Sequence, residues 1–339
     1  MEKTNTLSLP PRDSIPEELH PVLTRKYTLV SPTMERVAAE VVAWIRNGVS
    51  GATIEGETRT GKSKTRRFVA RVIEHNFPRT TIVSYLASRT DDRRRSDCGF
   101  FGSLLKAIKH PLWDKGNIAQ RRDRLIERLV DLAQTSGVPK CVLLIDEAEY
   151  LSEVDFHHLA GIFNELDERS IELHTYQFGR AEISNVREAI RRNGQTQLLT
   201  RFFEDRIEFH GIRKLNEMKA CLSRYDTHAR FPENTGWTYA RYYCPEAFSK
   251  GWRLADCAQQ FWSAFEEVHR QAGQARPLEV PMKYLVRVAE QYLVRVGKTH
   301  ASEPTLSQAE LVQVVVSTRF GVVSRDELDR EVENEEGDE

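Results

Sequence analysis

The most constraining feature of this sequence is a short loop with glycine, lysine and serine at fixed spacing. Residues 56–63 fill the pattern G-x-x-x-x-G-K-[ST], which ends on Gly61, Lys62 and Ser63. The glycines of such a loop allow backbone N–H groups to turn inward and surround phosphate oxygens. The apolar stretch 52–54 precedes the loop and a helical pattern begins near Lys62, so the sequence predicts a strand–loop–helix phosphate site.

Backbone and side chains of this loop would share the binding of a nucleotide. Lys62 is expected to reach the β and γ phosphates, and the Ser63 hydroxyl is placed to bind Mg²⁺. The helix that begins here adds the positive end of its dipole. The predicted nucleotide-binding residues are Gly56, Glu57, Thr58, Arg59, Thr60, Gly61, Lys62, Ser63 and Lys64.

A second motif is an apolar run that ends in two acidic residues. Residues 141–145 are continuously apolar, which is typical of a strand buried on both faces of a parallel sheet, and Asp146 and Glu147 follow. We expect Asp146 to hold Mg²⁺ through water and Glu147 to polarise the water that attacks the γ phosphate. The alternative is a solvated carboxylate pair before the next helix. The second acid favours ATP hydrolysis over kinase or GTPase chemistry.

The order of the predicted elements indicates a doubly wound α/β domain followed by a helical one. Predicted strands cover 52–54, 80–86, 141–145, 171–178 and 206–210, and helices cover 33–47, 62 onward, 100–109, 121–134, 154–166 and 183–192. Later helical patterns cover 214–225, 254–271, 281–296 and 306–316. The sequence therefore predicts an irregular N-terminal arm over 1–30, an α/β core over 31–212, a small α-helical lid domain over 213–325 and an acidic tail over 326–339.

Composition excludes several classes of protein. The 339 residues carry a formal net charge of −1, so any attraction to nucleic acid must come from local patches. No segment approaches the roughly 20 apolar residues of a membrane span, and the first residues lack the apolar region of a secretory signal. The five cysteines are widely spaced, without a C-x-x-C pair, which argues against disulfides or zinc and predicts a cytoplasmic protein.

Polar residues near two other strands are candidates for assisting the reaction. Gln177, with Thr175 as second choice, is predicted to orient the attacking water, and an ordinary strand-edge amide is the alternative. Arg201 precedes the last predicted strand and can reach the γ phosphate of a neighbouring subunit, a role that requires an oligomer. Arg191 and Arg192 compete for this role, and a surface salt bridge is the alternative for Arg201.

Other basic residues are candidates for contacts to the nucleotide or to DNA. Arg253 stands at the start of a predicted helix of the helical domain, where it can fold over the nucleotide. Binding of DNA phosphates needs lysine or arginine clustered on one surface. The candidates between the two motifs are Lys106, Lys109, Arg121 and Arg122. Lys106 and Lys109 are expected to lie one helical turn apart on one face, and a solvated charge is the alternative for each.

These motifs together resemble an AAA+ ATPase, through the acidic pair, the box Thr200-Arg201-Phe202 and the segment Gly251-Trp252-Arg253. Within AAA+, the chain resembles the TnsC/TniB branch of transposition ATPases, and its size and short arm resemble the compact TnsC proteins of CRISPR-associated transposons. Residues 176–183 are similar to that branch's apolar strand ending in Gly-x-x-Glu-Leu. The resemblance covers roughly residues 30–265 and implies an AAA+ P-loop NTPase with a doubly wound parallel sheet followed by a small α-helical lid domain. Glu57 and Arg59 depart from it where small residues are common, as does Gln177 in place of asparagine.

The resemblance also implies a function. ATP and Mg²⁺ would assemble the chain into a ring or helical filament on double-stranded DNA, and hydrolysis would disassemble this homo-oligomer. The assembly would bridge a TniQ-type target selector to a TnsA/TnsB-type transposase, and the DNA-contacting stretch of the family corresponds to the four basic residues above. The nearest alternative is a helicase loader or replication initiator, although residues 281–325 lack the basic recognition helix that would favour an initiator. A nucleotide-gated scaffold with incidental hydrolysis is a further alternative.

Overall fold

The structure, a computed structural model, describes residues 9–57, 60–87, 97–299 and 302–321. Two predicted loop residues, Thr58 and Arg59, lie outside the described residues, as does the acidic tail. The chain divides into two compact units. One is Thr33–Phe209, and the other combines the chain before it with the chain from His210 onward.

A five-stranded parallel sheet forms the centre of the unit Thr33–Phe209. Its strands are β1 (Gly51–Glu55), β2 (Thr81–Leu86), β3 (Lys140–Asp146), β4 (Glu172–Gly179) and β5 (Asp205–Glu208). They lie in the order β2-β3-β4-β1-β5, and every neighbouring pair is parallel. The predicted doubly wound parallel sheet is confirmed, and β1 ends between β4 and β5 at the carboxyl edge, where such sheets bind ligands.

Helices cover the sheet and build the second unit. They are α1 (Pro21–Thr24), α2 (Pro32–Asn47), α3 (Lys62–Asn76), α4 (Asp97–Ala107), α5 (Ile118–Ser136), α6 (Glu153–Glu168), α7 (Ile183–Arg192), α8 (Thr196–Phe202), α9 (Leu215–Thr227), α10 (Tyr239–Tyr243), α11 (Pro245–Ser249), α12 (Ala258–Gln271), α13 (Met282–Thr299) and α14 (Gln308–Ser317). The sequence did not predict α1, α8, α10 and α11, because helices of four to seven residues are too short to show a hydrophobic period. None of the helices among the described residues combines the length and hydrophobicity needed to cross a bilayer.

The two faces of the sheet have different partners, and this decides where the acidic residues point. Leu143 and Ile145 of β3 join one apolar cluster with side chains of α4, α5 and α6. Because side chains alternate along a strand, Asp146 lies on the opposite face, where α3 packs against β3 and β4. The carboxylate of Asp146 thus faces the helix that begins at the phosphate loop.

The predicted irregular arm takes part in the core of the second unit. It contains the short 3-10 turns Arg12–Ser14 and Glu17–Leu19 as well as α1. Its apolar side chains Ile15, Val22 and Leu29 are buried in the same cluster as residues of α9 to α14. The arm is therefore tied to the helical unit by burial of apolar surface, which stabilises the unit.

One histidine of the arm is completely buried among aromatic rings. His20 stacks on one ring and meets the edges of three others: Tyr242 at 4.5 Å, and Phe231, Tyr239 and Tyr243 at 5.2, 4.9 and 5.1 Å. Its Nδ1 accepts the N–H of Val22 at 3.2 Å, which caps α1. Burial, with a smaller contribution from the charge of Arg12, lowers the pKa of His20 to about 4.

We predict that His20 makes the stability of this protein sensitive to mild acid. The folded state requires the neutral imidazole ring. The contribution of His20 to the free energy of unfolding is therefore present above the unfolded pKa of about 6.5 and is lost as pH falls toward about 4. The depressed pKa corresponds to roughly 3 kcal/mol over this range. His20→Phe should remove this component, which urea unfolding at pH 7 and pH 4.5 measures. His157→Gln, at an exposed position, should behave as the wild type. Equal pH dependence in His20→Phe and the wild type would contradict the prediction.

Candidate nucleotide-binding site

The phosphate loop connects β1 to α3 at the carboxyl edge of the sheet. The N–H of Gly56 donates to the carbonyl of Gly179 at 3.1 Å, and a Cβ on Gly56 would lie 2.0 Å from the carbonyl oxygen of Phe209. Only glycine fits such a close approach of backbones. Gly61 caps α3 with a φ of 114°, a left-handed conformation that also favours glycine. Both glycines of the motif therefore have structural reasons to be glycine.

Lys62 folds back over the loop. Its Nζ donates to the carbonyl oxygen of Glu57 at 2.6 Å and to that of Gly56. Burial lowers the pKa of Lys62, and the nearby carboxylates of Glu149, Glu57 and Asp146 oppose this shift in that order. The ammonium group thus lies beside the loop that would hold a phosphate, and a phosphate would offer it stronger acceptors than the two carbonyls.

The remaining described loop residues lie around this lysine. Thr60 is buried, and its hydroxyl donates to the carbonyl of Glu57 at 2.7 Å, which closes the loop. Ser63 and Lys64 are exposed on the first turn of α3. The structure therefore brings the predicted residues 56, 57 and 60–64 together at the start of one helix.

Asp146 is held by an arginine that the sequence analysis did not select. The carboxylate is buried; its Oδ2 accepts from Nε of Arg66 at 3.2 Å and its Oδ1 accepts the N–H of Glu147 at 3.2 Å. Arg66 lies four residues after Lys62 on α3. Helix residues at this spacing share a face, so the spacing from Lys62 could have identified Arg66 as a residue of the site.

Glu147 lies at the edge of the sheet in a strained backbone conformation. Its φ of 55° is left-handed, and it begins the 3-10 turn Ala148–Tyr150. Non-glycine residues in this region are uncommon and often lie at functional sites. The pKa of the exposed Glu147 is raised by partial desolvation and then by the charges of Asp146 and Glu149, with Arg180 opposing. A raised pKa makes a carboxylate a better proton acceptor, as a general base requires.

An ion pair between Glu149 and Arg180 adjoins the phosphate loop. Neither residue is among the site residues predicted from the sequence. The Glu149 side chain is 6% exposed, and its Oε1 accepts from Nε of Arg180 at 2.8 Å. Its Oε2 accepts the N–H of Arg180 at 3.2 Å, and the Tyr150 hydroxyl lies 3.5 Å from Nη2 of Arg180. Arg180 directly follows β4, which ends beside β1. The pairing of β4 with β1 is known only from the strand order of the sheet, so the sequence alone could not place Arg180 at the loop.

The donor set at this edge fits a nucleotide with Mg²⁺. The described residues contain no cluster of three His, Cys, Asp or Glu side chains that forms a metal site alone. Mg²⁺ in phosphate-loop sites takes few protein ligands, because phosphate and water oxygens supply the others. The hydroxyl of Ser63 and the carboxylate of Asp146 are hard oxygen ligands of the required type, and Asp146 would exchange contact with Arg66.

Gln177 and Thr175 lie inside the sheet. Gln177 pairs in register with Thr53 and Ile145, so it is on the face opposite to Asp146 and two residues before the end of β4. It is fully buried, and neither polar atom of its amide has a hydrogen-bond partner within the described parts of the chain. Thr175 is buried too, with its hydroxyl 3.3 Å from the carbonyl of Ser50. The predicted role of Gln177 with the attacking water stays a prediction.

Arg201 lies at the other end of β1 from the phosphate loop. It is in α8, its carbonyl accepts the hydroxyl of Ser50 at 2.9 Å, and its guanidinium lies 4.2 Å from the ring centre of Phe163. The five residues of β1 separate it from its own loop by roughly 15 Å. This position suits a residue that acts on a neighbouring subunit, and that role stays a prediction. The competing Arg191 and Arg192 pair with Glu188 within α7.

Arg253 belongs to the other unit and contacts its own surroundings. Its Nη1 donates to the carbonyls of Phe248 and Trp252 at 2.9 and 2.7 Å, and its guanidinium lies 3.8 Å from the ring centre of Phe248. A contact from Arg253 to the nucleotide stays a prediction.

The expected helical pair Lys106 and Lys109 is corrected by the structure. Helix α4 ends at Ala107, and Lys109 has a left-handed φ of 56° in the turn that follows. The N–H of Lys109 donates to the carbonyl of Lys106 at 3.0 Å and that of His110 donates to Leu105 at 2.9 Å. These two bonds form a Schellman ending, which terminates the helix between the two lysines. Both lysines are exposed.

Arg121 and Arg122 have partners within the protein. Arg121 donates to the carbonyls of Gly116 at 3.0 Å, Cys98 at 2.9 Å and Asp114, so its guanidinium organises the loop before α5. Arg122 pairs with Glu165 of α6 at 2.9 Å. Of the four predicted DNA-binding residues, the lysines are therefore the ones whose exposed charge is best placed to meet a phosphate.

We predict that Arg121→Ala destabilises the unit Thr33–Phe209. The substitution leaves three carbonyls without their donor, at a cost of about 2 kcal/mol, so the midpoint of thermal unfolding should fall by several degrees. The same variant should be cleaved faster by protease within residues 108–117. Arg71→Ala, at an exposed position of α3, is the matched control. An unchanged melting temperature in Arg121→Ala would show that these bonds do not hold the loop.

This parallel sheet, with a phosphate loop after β1 and an acidic pair at the end of β3, has the fold of an AAA+ P-loop NTPase. The family model described as an AAA domain matches residues 47–186. This range contains β1 to β4, the phosphate loop and the acidic pair. Residues 47–186 are therefore similar to an AAA domain, and a helical part follows them.

Solved structures with low sequence identity are similar to this chain. The ORC2 protein of Aeropyrum pernix in ADPNP and ADP complexes is 14% identical, with 86% of this chain and 74% of that chain covered and a TM-score of 0.44. A Walker-type ATPase of Pyrococcus abyssi is 14% identical, with 88% and 75% covered and a TM-score of 0.48. Domain III of the Thermotoga maritima replication initiation protein DnaA is 11% identical, with 89% and 98% covered and a TM-score of 0.43. No curated protein sequence matches the chain.

Proposed function

We propose that this protein hydrolyses ATP and that bound ATP controls its assembly on double-stranded DNA. The observation that carries the proposal is the position of Lys62 over the phosphate loop, beside Asp146 and Glu149 and at the same sheet edge as Glu147. A cation for the phosphates and a carboxylate for the attacking water are what hydrolysis requires.

The residues of the site have separate tasks in this proposal. The loop backbone and Lys62 bind the phosphates, and Ser63 and Asp146 hold Mg²⁺. When bound, Mg²⁺ supplies positive charge that neutralises the phosphate oxygens. Glu147 accepts a proton from the attacking water, a role that its raised pKa favours.

Two substitutions separate binding from hydrolysis. Lys62→Ala removes the cation beside the loop and should weaken ATP binding by at least about tenfold. Glu147→Gln keeps the shape of the side chain but removes the base, so ATP should bind nearly normally while turnover falls by roughly 10²–10⁴. Fluorescent-nucleotide titration and phosphate release measure the two quantities. Unchanged turnover in Glu147→Gln would exclude Glu147 as the base and favour a nucleotide-gated scaffold.

Assembly follows from the position of Arg201 in this proposal. An arginine far from its own phosphate loop can complete the site of a neighbouring subunit, where it neutralises charge that develops on the γ phosphate. The site would then be shared between subunits, and only an oligomer would hydrolyse ATP efficiently. Arg253 is proposed to assist by contacting the nucleotide.

The surface formed by α4 and the following loop is the proposed contact to DNA. Lys106 and Lys109 are exposed there, and Lys106 Nζ lies 5.0 Å from the ring centre of Trp113. Arg124 donates to the carbonyls of Leu112 and Lys115 at 2.8 Å each, which fixes this loop together with Arg121. Exposed cations on a fixed loop suit binding to the DNA backbone without a choice of base sequence.

The two lysines should contribute to DNA binding through counterion release. The double substitution Lys106→Ala with Lys109→Ala should weaken binding of duplex DNA in the presence of an ATP analogue. It should also reduce the slope of log K against log salt by about 2, roughly one for each lysine. Filter binding over a range of salt concentrations measures this slope. The double variant Lys219→Ala with Lys250→Ala, at exposed positions of the helical unit, is the control. An unchanged slope would exclude the two lysines as DNA contacts and would indicate that DNA binds another surface.

We further propose that the protein is a transposition regulator that connects a TniQ-type target selector to a TnsA/TnsB-type transposase. The support is the resemblance of residues 176–183 and of the motif set to the TnsC/TniB branch. Electron microscopy with an ATP analogue and duplex DNA would reveal a ring or filament. A transposase gene beside this one would support transposition, and a replication gene there would favour a helicase loader or initiator.

A further inference from the structure

The pair Glu149–Arg180 lies against the phosphate loop but has no task in the scheme above. Arg180 is the first residue after β4, and the residue before it, Gly179, is in register with Glu55 and accepts the N–H of Gly56. The backbone of Arg180 is therefore one residue away from a direct hydrogen bond to the start of the loop. Its side chain is one-third exposed, so it is not locked inside the core.

We propose that Arg180 is a positioning residue that distinguishes a nucleoside triphosphate from a diphosphate by exchanging its bond to Glu149 for the terminal phosphate. This role rests on the proposed nucleotide site and adds a residue that the ATPase motifs do not include. It makes Glu149 the buried acceptor that holds Nε of Arg180 when no terminal phosphate is bound, while the exposed Glu182 lies 3.0 Å from Nη1 of the same guanidinium.

The charges around Lys62 support such an exchange. Glu149 is the carboxylate that acts most strongly on Lys62, and Arg180 acts on Lys62 and on Glu147 as well. Arg180 is thus near both the cation expected at the β and γ phosphates and the base expected at the attacking water. A terminal phosphate placed among these groups lies within the electrostatic reach of Arg180.

The chemistry of the two acceptors favours a shift of the guanidinium. Glu149 offers one negative charge, and its Oε1 accepts from Arg180 Nε while its Oε2 accepts the backbone N–H. A terminal phosphate offers more charge and three oxygens, and the planar guanidinium donates to phosphate in a bidentate manner. A diphosphate lacks this group, so Arg180 would keep its bond to Glu149.

The exchange would also reach the proposed catalytic base. Glu149 lies in the 3-10 turn Ala148–Tyr150 that Glu147 begins, and Arg180 also meets the hydroxyl of Tyr150 in this turn. When Arg180 moves to the phosphate, the turn loses its main ionic restraint. The identity of the nucleotide would therefore be transmitted to the segment that carries Glu147.

The test compares affinities for a non-hydrolysable ATP analogue and for ADP by isothermal titration. Arg180→Ala should weaken binding of the analogue by about tenfold or more and binding of ADP by less than about twofold. Arg180→Lys should restore part of this difference in affinity. Arg71→Ala is the control for the loss of an arginine. A structural role alone would weaken both nucleotides alike, so an unchanged ratio in Arg180→Ala would overturn the proposal.

A double-mutant cycle with Glu149→Gln tests the exchange itself. If Glu149 competes with the phosphate for Arg180, Glu149→Gln should tighten analogue binding in the wild type and have a smaller effect in the Arg180→Ala background. Equal effects in both backgrounds would overturn the exchange. Circular dichroism establishes that each variant is folded, and Arg180→Lys with Glu149→Gln carry the test if Arg180→Ala does not fold. A wild type that binds neither nucleotide would overturn the proposed function, whereas normal binding with an unchanged ratio overturns only the role of Arg180.

Discussion

The candidate site depends on the close approach of Gly56 to the two strands that flank β1. Its N–H bonds to Gly179 at the end of β4, and its missing side chain makes room for the carbonyl of Phe209, just after β5. This contact fixes the start of the phosphate loop relative to three strands at once. Asp146 ends β3, and Arg180 directly follows the neighbouring strand β4. The loop and these charged residues therefore keep fixed positions relative to one another.

The charges at this edge are balanced by arginines of the same unit. Asp146 is paired with Arg66 and Glu149 with Arg180, while Lys62 donates to carbonyls. Buried carboxylates without such partners would be costly to keep ionised. The arrangement therefore stabilises the carboxylates of this edge, and in the proposed nucleotide complex these bonds would be exchanged for bonds to a phosphate or a metal ion.

The sequence could predict the parts of the fold that depend on local patterns. The phosphate loop, the apolar strand before Asp146 and the long helices are visible because their periods and motifs extend over consecutive residues. The partners of Arg121 and Arg180 were not predictable, since Cys98 and Glu149 are 23 and 31 residues away and meet them only through the tertiary fold. The ending of α4 at Ala107 depends on a left-handed Lys109, a conformation that lysine rarely adopts, and Pro111 indicates only that the helix ends nearby.

The position of Arg201 restricts how the candidate site can work. Residues at the amino end of a parallel strand cannot meet a ligand at its carboxyl end within one subunit, because the length of β1 lies between them. If an arginine finger is needed for hydrolysis, either it comes from another subunit or a different cation inside the subunit serves. Within the described part of the chain, Arg180 adjoins the loop and acts on Glu147, so Arg180 and Arg201 have complementary positions. In the proposed scheme, Arg180 registers the nucleotide within one subunit, and Arg201 acts only after subunits assemble.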